Sequence, residues 1–158
     1  MLDTAQFIDK ATRLYGYDHF ICDSSGSLCE VVDPEDTADP VLTALSQHLL
    51  LVWIEGSDAH TQELVARFDR APKPMYYQPD FLHHAWSDYL AESGLSEDAV
   101  DPNTFVRWAY ARALAHRQPR YRAMADQWGI TLQAADVAGI TTPADLDRLI
   151  MAALEARA

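Results

Sequence analysis

The carboxylate in this sequence best placed to do chemistry is Asp23. It follows a short apolar run, Phe20-Ile21-Cys22, and precedes a small, flexible turn, Ser24-Ser25-Gly26-Ser27. An apolar strand ending on an acid delivers that acid to the crevice beyond the carboxyl ends of a parallel sheet, where ligands of α/β proteins sit. A carboxylate there can hold Mg²⁺, directly or through water, or attack as a nucleophile and form a covalent intermediate. It can also do no chemistry, and cap its own turn by accepting the N–H of Ser25 or Gly26.

A second acid has the same setting. Leu49 to Ile54 is a continuous apolar run that ends on Glu55-Gly56-Ser57, so Glu55 or Ser57 would line the same strand-end crevice as Asp23. From Pro102 to Ala125 there is no acidic residue, whereas Arg107, Arg112, Arg117, Arg120 and Arg122 all fall within that stretch. Guanidinium forks match phosphate oxygens, and Arg117, Arg120 and Arg122 gather around Pro119, where a break would make the tip of a lid. The simpler use of such arginines is the surface ion pair. The histidines offer no metal site: His83 and His84 are adjacent and project about 100° apart on a helix, and His60-x-x-Glu63 lacks a third ligand.

These residues need a scaffold. At 158 residues the chain is expected to be a single α/β domain, able to bury roughly 70% of its unfolded surface. Two cysteines, Cys22 and Cys29, are too few for a disulfide framework and point to the cytoplasm. The formal charge of −12 repels phosphodiester backbones, so no nucleic-acid partner is expected. No apolar run reaches membrane-spanning length and no leader pattern opens the chain, so no membrane association is expected either.

Taken in order, residues 3 to 15 read as a helix with Phe7, Ile8, Ala11, Leu14 and Tyr15 on one face and Gly16 as its stop. The strand to Asp23 follows, then an acidic loop from Asp33 to Pro40, a short helix over 41–47, and the strand over 49–54, whose unbroken apolarity predicts cover on both faces. Ser57 caps a helix with Leu64, Val65 and Phe68 inward and a Glu63–Arg67 pair outward. Met75-Tyr76-Tyr77 reads as a short extended piece. Gln78-Pro79-Asp80 opens a helix that Gly94 ends, and Asp101-Pro102 opens another to about Gln118. Pro119 is expected to interrupt it before a further helix to Gln127. Ile130-Thr131-Leu132 reads as a third strand, and a last helix follows Thr142-Pro143. The fold class expected is α/β: a parallel sheet of at least three strands flanked by helices, with extra helices at the C-terminal end.

Two family likenesses bear on the chemistry. Asp23-x-Ser25-Gly26-Ser27-Leu28 resembles the first motif of the haloacid dehalogenase-like hydrolases, but the second Asp of that motif is Ser25 here, and no later strand ends in a pair of acids. The second likeness runs essentially end to end. Leu2 to Ala11, Tyr15 to Asp23, Trp53-Ile54-Glu55-Gly56-Ser57, Arg70 to Tyr77, Arg107-Trp108 and Ala115-His116-Arg117 together resemble the C-terminal part of a bacterial P-loop ATPase family.

That resemblance implies ATP and Mg²⁺ as cofactors, a kinase-like P-loop sheet, Asp23 at the metal, Glu55 in the crevice, and Arg117 and Arg120 near the phosphates. In the family an N-terminal segment carries the phosphate loop. No Gly-x-x-x-x-Gly-Lys occurs in this sequence, whose only lysines are Lys10 and Lys73, so this chain alone is expected to bind ATP weakly or not at all. The resemblance implies a sheet lacking its first strand, the one before the phosphate loop. A different class of function then stays open: a non-enzymatic interaction module, using the exposed sheet edge to recruit a partner or to form a homodimer.

Overall fold

Glycine, proline and small polar residues set most element boundaries in the computed structural model, which describes residues 1–157. Helix α1 spans Thr4–Tyr15 and stops at Gly16, whose left-handed φ of 65° suits a residue without a Cβ. Helix α2, Pro40–Ser46, starts after Asp39, whose carboxylate accepts from the N–H groups of Val41 and Leu42. Strand β1 is Leu51–Glu55. Helix α3, Asp58–Arg70, is capped by Ser57, and α4, Pro79–Ser93, ends on left-handed Gly94. Helix α5 runs unbroken over Pro102–Trp128, strand β2 over Gly129–Gln133, α6 over Ala134–Ala138 and α7 over Pro143–Arg157.

The protein is therefore α/β and mostly helical, and among the described residues its sheet has two strands, β1 and β2, paired in parallel. The first of the three expected strands, Phe20 to Cys22, does not form. Residues 16–25 carry no regular structure, and Ile21 is 87% exposed. A three-residue apolar run has too few ladder bonds to hold a strand without a bound neighbour.

The chain folds as two compact units. The first comprises residues 1–55 together with 120 onward. Its core is Leu28, Cys29, Val32, Leu42, Leu45 and Met124, with Leu51, Tyr121 and Trp128 packed around them. Leu51 pairs with Gly129 and Glu55 with Gln133, and the first pairing requires glycine: a Cβ at position 129 would lie 2.0 Å from the Leu51 carbonyl oxygen. Ile130 and Leu132 are buried, whereas Val52 and Ile54, their register partners on the same face, are 37% and 52% exposed. The expectation of cover on both faces of β1 fails for that reason. Arg157, at the end of α7, donates to the carbonyls of Asp126, Gln127 and Gly129 and so closes the C-terminal end of α5.

The second unit, Gly56–Pro119, holds two apolar clusters. Phe68 stacks on Tyr110 at 3.9 Å with Leu114 beside them, and Tyr89, Phe105 and Ala109 are enclosed by Trp86 and Trp108. Glu63 pairs with Arg70 at 3.2 Å rather than with Arg67. Met75 to Tyr77 pairs in no sheet among the described residues.

Pro119 does not interrupt α5. Proline costs a helix the bond from its missing N–H to the carbonyl four residues earlier. Here that residue, Ala115, is exposed, as is Pro119, so the freed carbonyl is not stranded in a core. Of the residues of α1, Thr4 is the one that is buried, and Phe7 and Leu14 are exposed.

Candidate functional site

Asp23 lies in an exposed turn, not at a strand end. Its Oδ1 accepts from the Ser25 N–H at 2.9 Å, and Ser25 sits in the left-handed region at φ 58°. The Ser25 Oγ in turn accepts from the Ser27 N–H at 3.2 Å and lies 3.1 Å from the Ser27 Oγ. The carboxylate thus makes the turn-capping bond that its spacing allowed.

The chain just after this turn is held by one turn of α5. Tyr121 donates its hydroxyl to the Gly26 carbonyl at 2.6 Å. Arg120 donates through Nε to the Cys29 carbonyl at 2.9 Å and through Nη2 to the Val32 carbonyl at 2.8 Å. The next residue, Arg122, reaches the end of β1 and pairs with Glu55 at 2.8 Å. Three consecutive side chains therefore tie the Asp23 turn, the buried segment after it and the strand-end acid to one helix.

Glu55 is half-buried, and both its oxygens are engaged: Oε1 by Arg122, Oε2 by the side-chain amide of Gln133 at 2.8 Å. Gln133 is the register partner of Glu55, so the pair marks the shared carboxyl end of the two parallel strands. Trp53 lies beside them, 6.2 Å from the Tyr121 ring and 5.9 Å below the Arg122 guanidinium. The sequence reading missed Gln133 because the apolar run of β2 stops at Leu132, one residue short of it.

The expected phosphate arginines are placed differently from a lid. Arg120 braces backbone, as above. Arg117 belongs to the second unit, is 3% exposed, and donates to the Tyr76 carbonyl at 2.7 Å. Because α5 is continuous through Pro119, no lid tip forms there. Ser57 is also engaged locally: its Oγ lies 2.9 Å from the His60 Nδ1, which accepts from the Ser57 N–H at 3.0 Å.

These residues meet the needs of Mg²⁺ and of ATP unequally. Among the described residues no group of three His, Cys, Asp or Glu side chains could hold a metal. Nucleotide-bound Mg²⁺ takes one or two protein carboxylates beside the phosphates, and the exposed Asp23 has one oxygen outside its turn bond, as any surface carboxylate would. The triphosphate does not fit. Its backbone cradle and lysine are missing from the sequence, and the two arginines expected near it bond carbonyls of the chain itself. Two shallow concavities, one along α1 and one between α6 and α7, include neither Asp23 nor Glu55. No protein-family model, curated protein or solved structure matches the chain.

Proposed function

We propose that this chain is a large part of a Mg²⁺-dependent P-loop ATPase-like protein, supplying Asp23 and Glu55 to a site whose phosphate cradle lies on other residues. The observation that carries the reading is the Glu55–Gln133–Arg122 cluster at the carboxyl end of a parallel strand pair, the place where nucleotide sites of α/β sheets are built. Among the described residues β1 is paired on one edge alone, by β2, which supports a sheet that a further strand completes. Asp23 would orient the metal. Arg120, Tyr121 and Arg122 would position the Asp23 turn and Glu55 rather than touch phosphate. The same exposed edge favours a second reading, a module that binds another protein by strand addition.

The test is a titration with ATP·Mg²⁺ of two products: the 158-residue chain, and the source DNA read in frame from upstream of the Met1 codon. Binding by the first no tighter than about millimolar, and by the second at about micromolar, is the expected result. Asp23→Asn in the longer product should lower turnover by about a hundredfold, as loss of a metal contact worth several kcal/mol would. Micromolar binding by the short chain would refute the argument from the missing cradle. Absence of nucleotide binding by both would refute the ATPase reading and leave strand addition.

A further inference from the structure

The side chains of α5 change their grip within two residues. Up to Arg117 they hold the second unit: Tyr110 stacks on Phe68 with Leu114 beside them, and Arg117, buried, donates to the Tyr76 carbonyl. From Arg120 onward they hold the first unit. Arg120 bonds the Cys29 and Val32 carbonyls, Tyr121 the Gly26 carbonyl and Arg122 the Glu55 carboxylate. Between the two sets lie Gln118 and Pro119.

The chain passes between the units twice, at Glu55–Gly56 and at Pro119–Arg120. Both crossings fall on the residue type whose backbone yields most easily in its setting. Gly56 is exposed and belongs to neither β1 nor α3, and without a Cβ it turns at little steric cost. Pro119 withholds one rung of the α5 ladder, the bond to the Ala115 carbonyl, and its ring crowds that carbonyl. Helices bend sharply where the ladder is incomplete. Ala115 and Pro119 are both exposed, so water can take up the carbonyl as the helix opens there.

We propose that Gly56 and Pro119 form a hinge, on which Gly56–Pro119 turns as a body while α5 bends at the proline. Arg117 and Arg120 keep the bend local, because each fixes its own half of the helix to backbone of its own unit. The two crossings are also rooted together. Glu55 immediately precedes the first, Arg122 closely follows the second, and their side chains pair at 2.8 Å. Two yielding links held side by side define one axis of motion.

Hydrogen exchange of the full chain tests this. The amides of residues 120–123 bond the carbonyls of 116–119, the turn that spans the proline. They should exchange at least about tenfold faster than the amides of 113–117 and 124–127. Helices fray from their ends, so a minimum of protection inside a 27-residue helix marks an internal weak point. Pro119→Ala restores the N–H at an exposed position, and the minimum should vanish with no loss of far-UV circular dichroism.

Pulsed electron spin resonance reads the amplitude. In a Cys22→Ser background, with Cys29 fully buried, one label pair joins Asp88→Cys on α4 to Asp147→Cys on α7, and a second joins Asp88→Cys to Gln62→Cys within the second unit. All three positions are exposed. The first distance distribution should be at least about twice as wide as the second. Pro119→Ala should narrow the first and leave the second as it is. Uniform protection along α5 in the wild type, equal widths for the two pairs, or a width that Pro119→Ala leaves unchanged would each overturn the proposal.

Discussion

Replacing Arg120 with alanine removes a clamp rather than a ligand, and the size of the loss follows from what the guanidinium touches. Its two acceptors are the carbonyls of Cys29 and Val32, residues 0% and 5% exposed, at 2.9 and 2.8 Å. A hydrogen bond to a charged donor contributes about 1.5–3 kcal/mol, and a buried acceptor left unmade costs about 1–3 kcal/mol. The two bonds give about 3–5 kcal/mol, reduced by the desolvation that the half-buried guanidinium no longer suffers. We expect Arg120→Ala to destabilise the first unit by about 3 kcal/mol, against a total of about 5–15 kcal/mol for a typical protein. In urea, with a slope of about 2 kcal/mol per molar, the midpoint falls by about 1.5 M. Fluorescence of Trp53 and Trp128, the two tryptophans of that unit, reports the transition. Arg122→Ala is the control: its side chain is 64% exposed and pairs with Glu55, so the cost is at most about 1 kcal/mol. If Arg120→Ala unfolds within about 0.5 M of wild type, or no earlier than Arg122→Ala, the brace reading is refuted.

Gly129→Ala is expected to be more damaging than any surface change. The added methyl would sit 2.0 Å from the Leu51 carbonyl oxygen and 2.7 Å from the Leu51 Cβ, so β1 and β2 must part, and loss of slow-exchanging amides in both strands checks this. Asp145 contributes to stability in acid. The hydroxyl of Thr142 first, then the Thr141 N–H and hydroxyl and the Thr142 N–H, hold its carboxyl at about 2 instead of the ordinary 3.8. In the unfolded chain it takes up a proton at the higher value. Its stabilising effect is therefore whole above pH 3.8 and lost as pH falls towards about 2. Asp145→Asn should lower stability at neutral pH and flatten its decline across that window, measured by urea midpoints at a series of pH values.

Most element boundaries were legible because they depend on single residues. Gly16 and Gly94 end helices in left-handed conformations, Asp101-Pro102 and Thr142-Pro143 open them, and the long apolar run before Glu55 makes a strand. Local pattern failed where the deciding partner lies far along the chain. Phe20 to Cys22 resembles a strand until one asks what would pair with it. Arg120 looks like a phosphate ligand until its acceptors are found 91 and 88 positions away, on carbonyls that any residue could present. The Glu55–Gln133 contact depends on parallel register, which no local motif encodes, although the acid itself was placed at a strand end. Pro119 was misjudged because its cost depends on whether Ala115 is buried, a tertiary fact.

The pairing of β1 with β2 also dictates an order of events during synthesis. Glu55 and Gln133 are 78 positions apart, and at roughly 5–20 residues per second the ribosome delivers the second strand several seconds after the first. The intervening residues include Gly56–Pro119, an uninterrupted stretch with its own apolar clusters, which can collapse within microseconds to milliseconds of emerging. The strand pair must instead close a long loop before any ladder bond rewards it. The later-forming first unit is thus the one whose nascent form leaves an apolar strand waiting, and it is there that a chaperone would find its substrate.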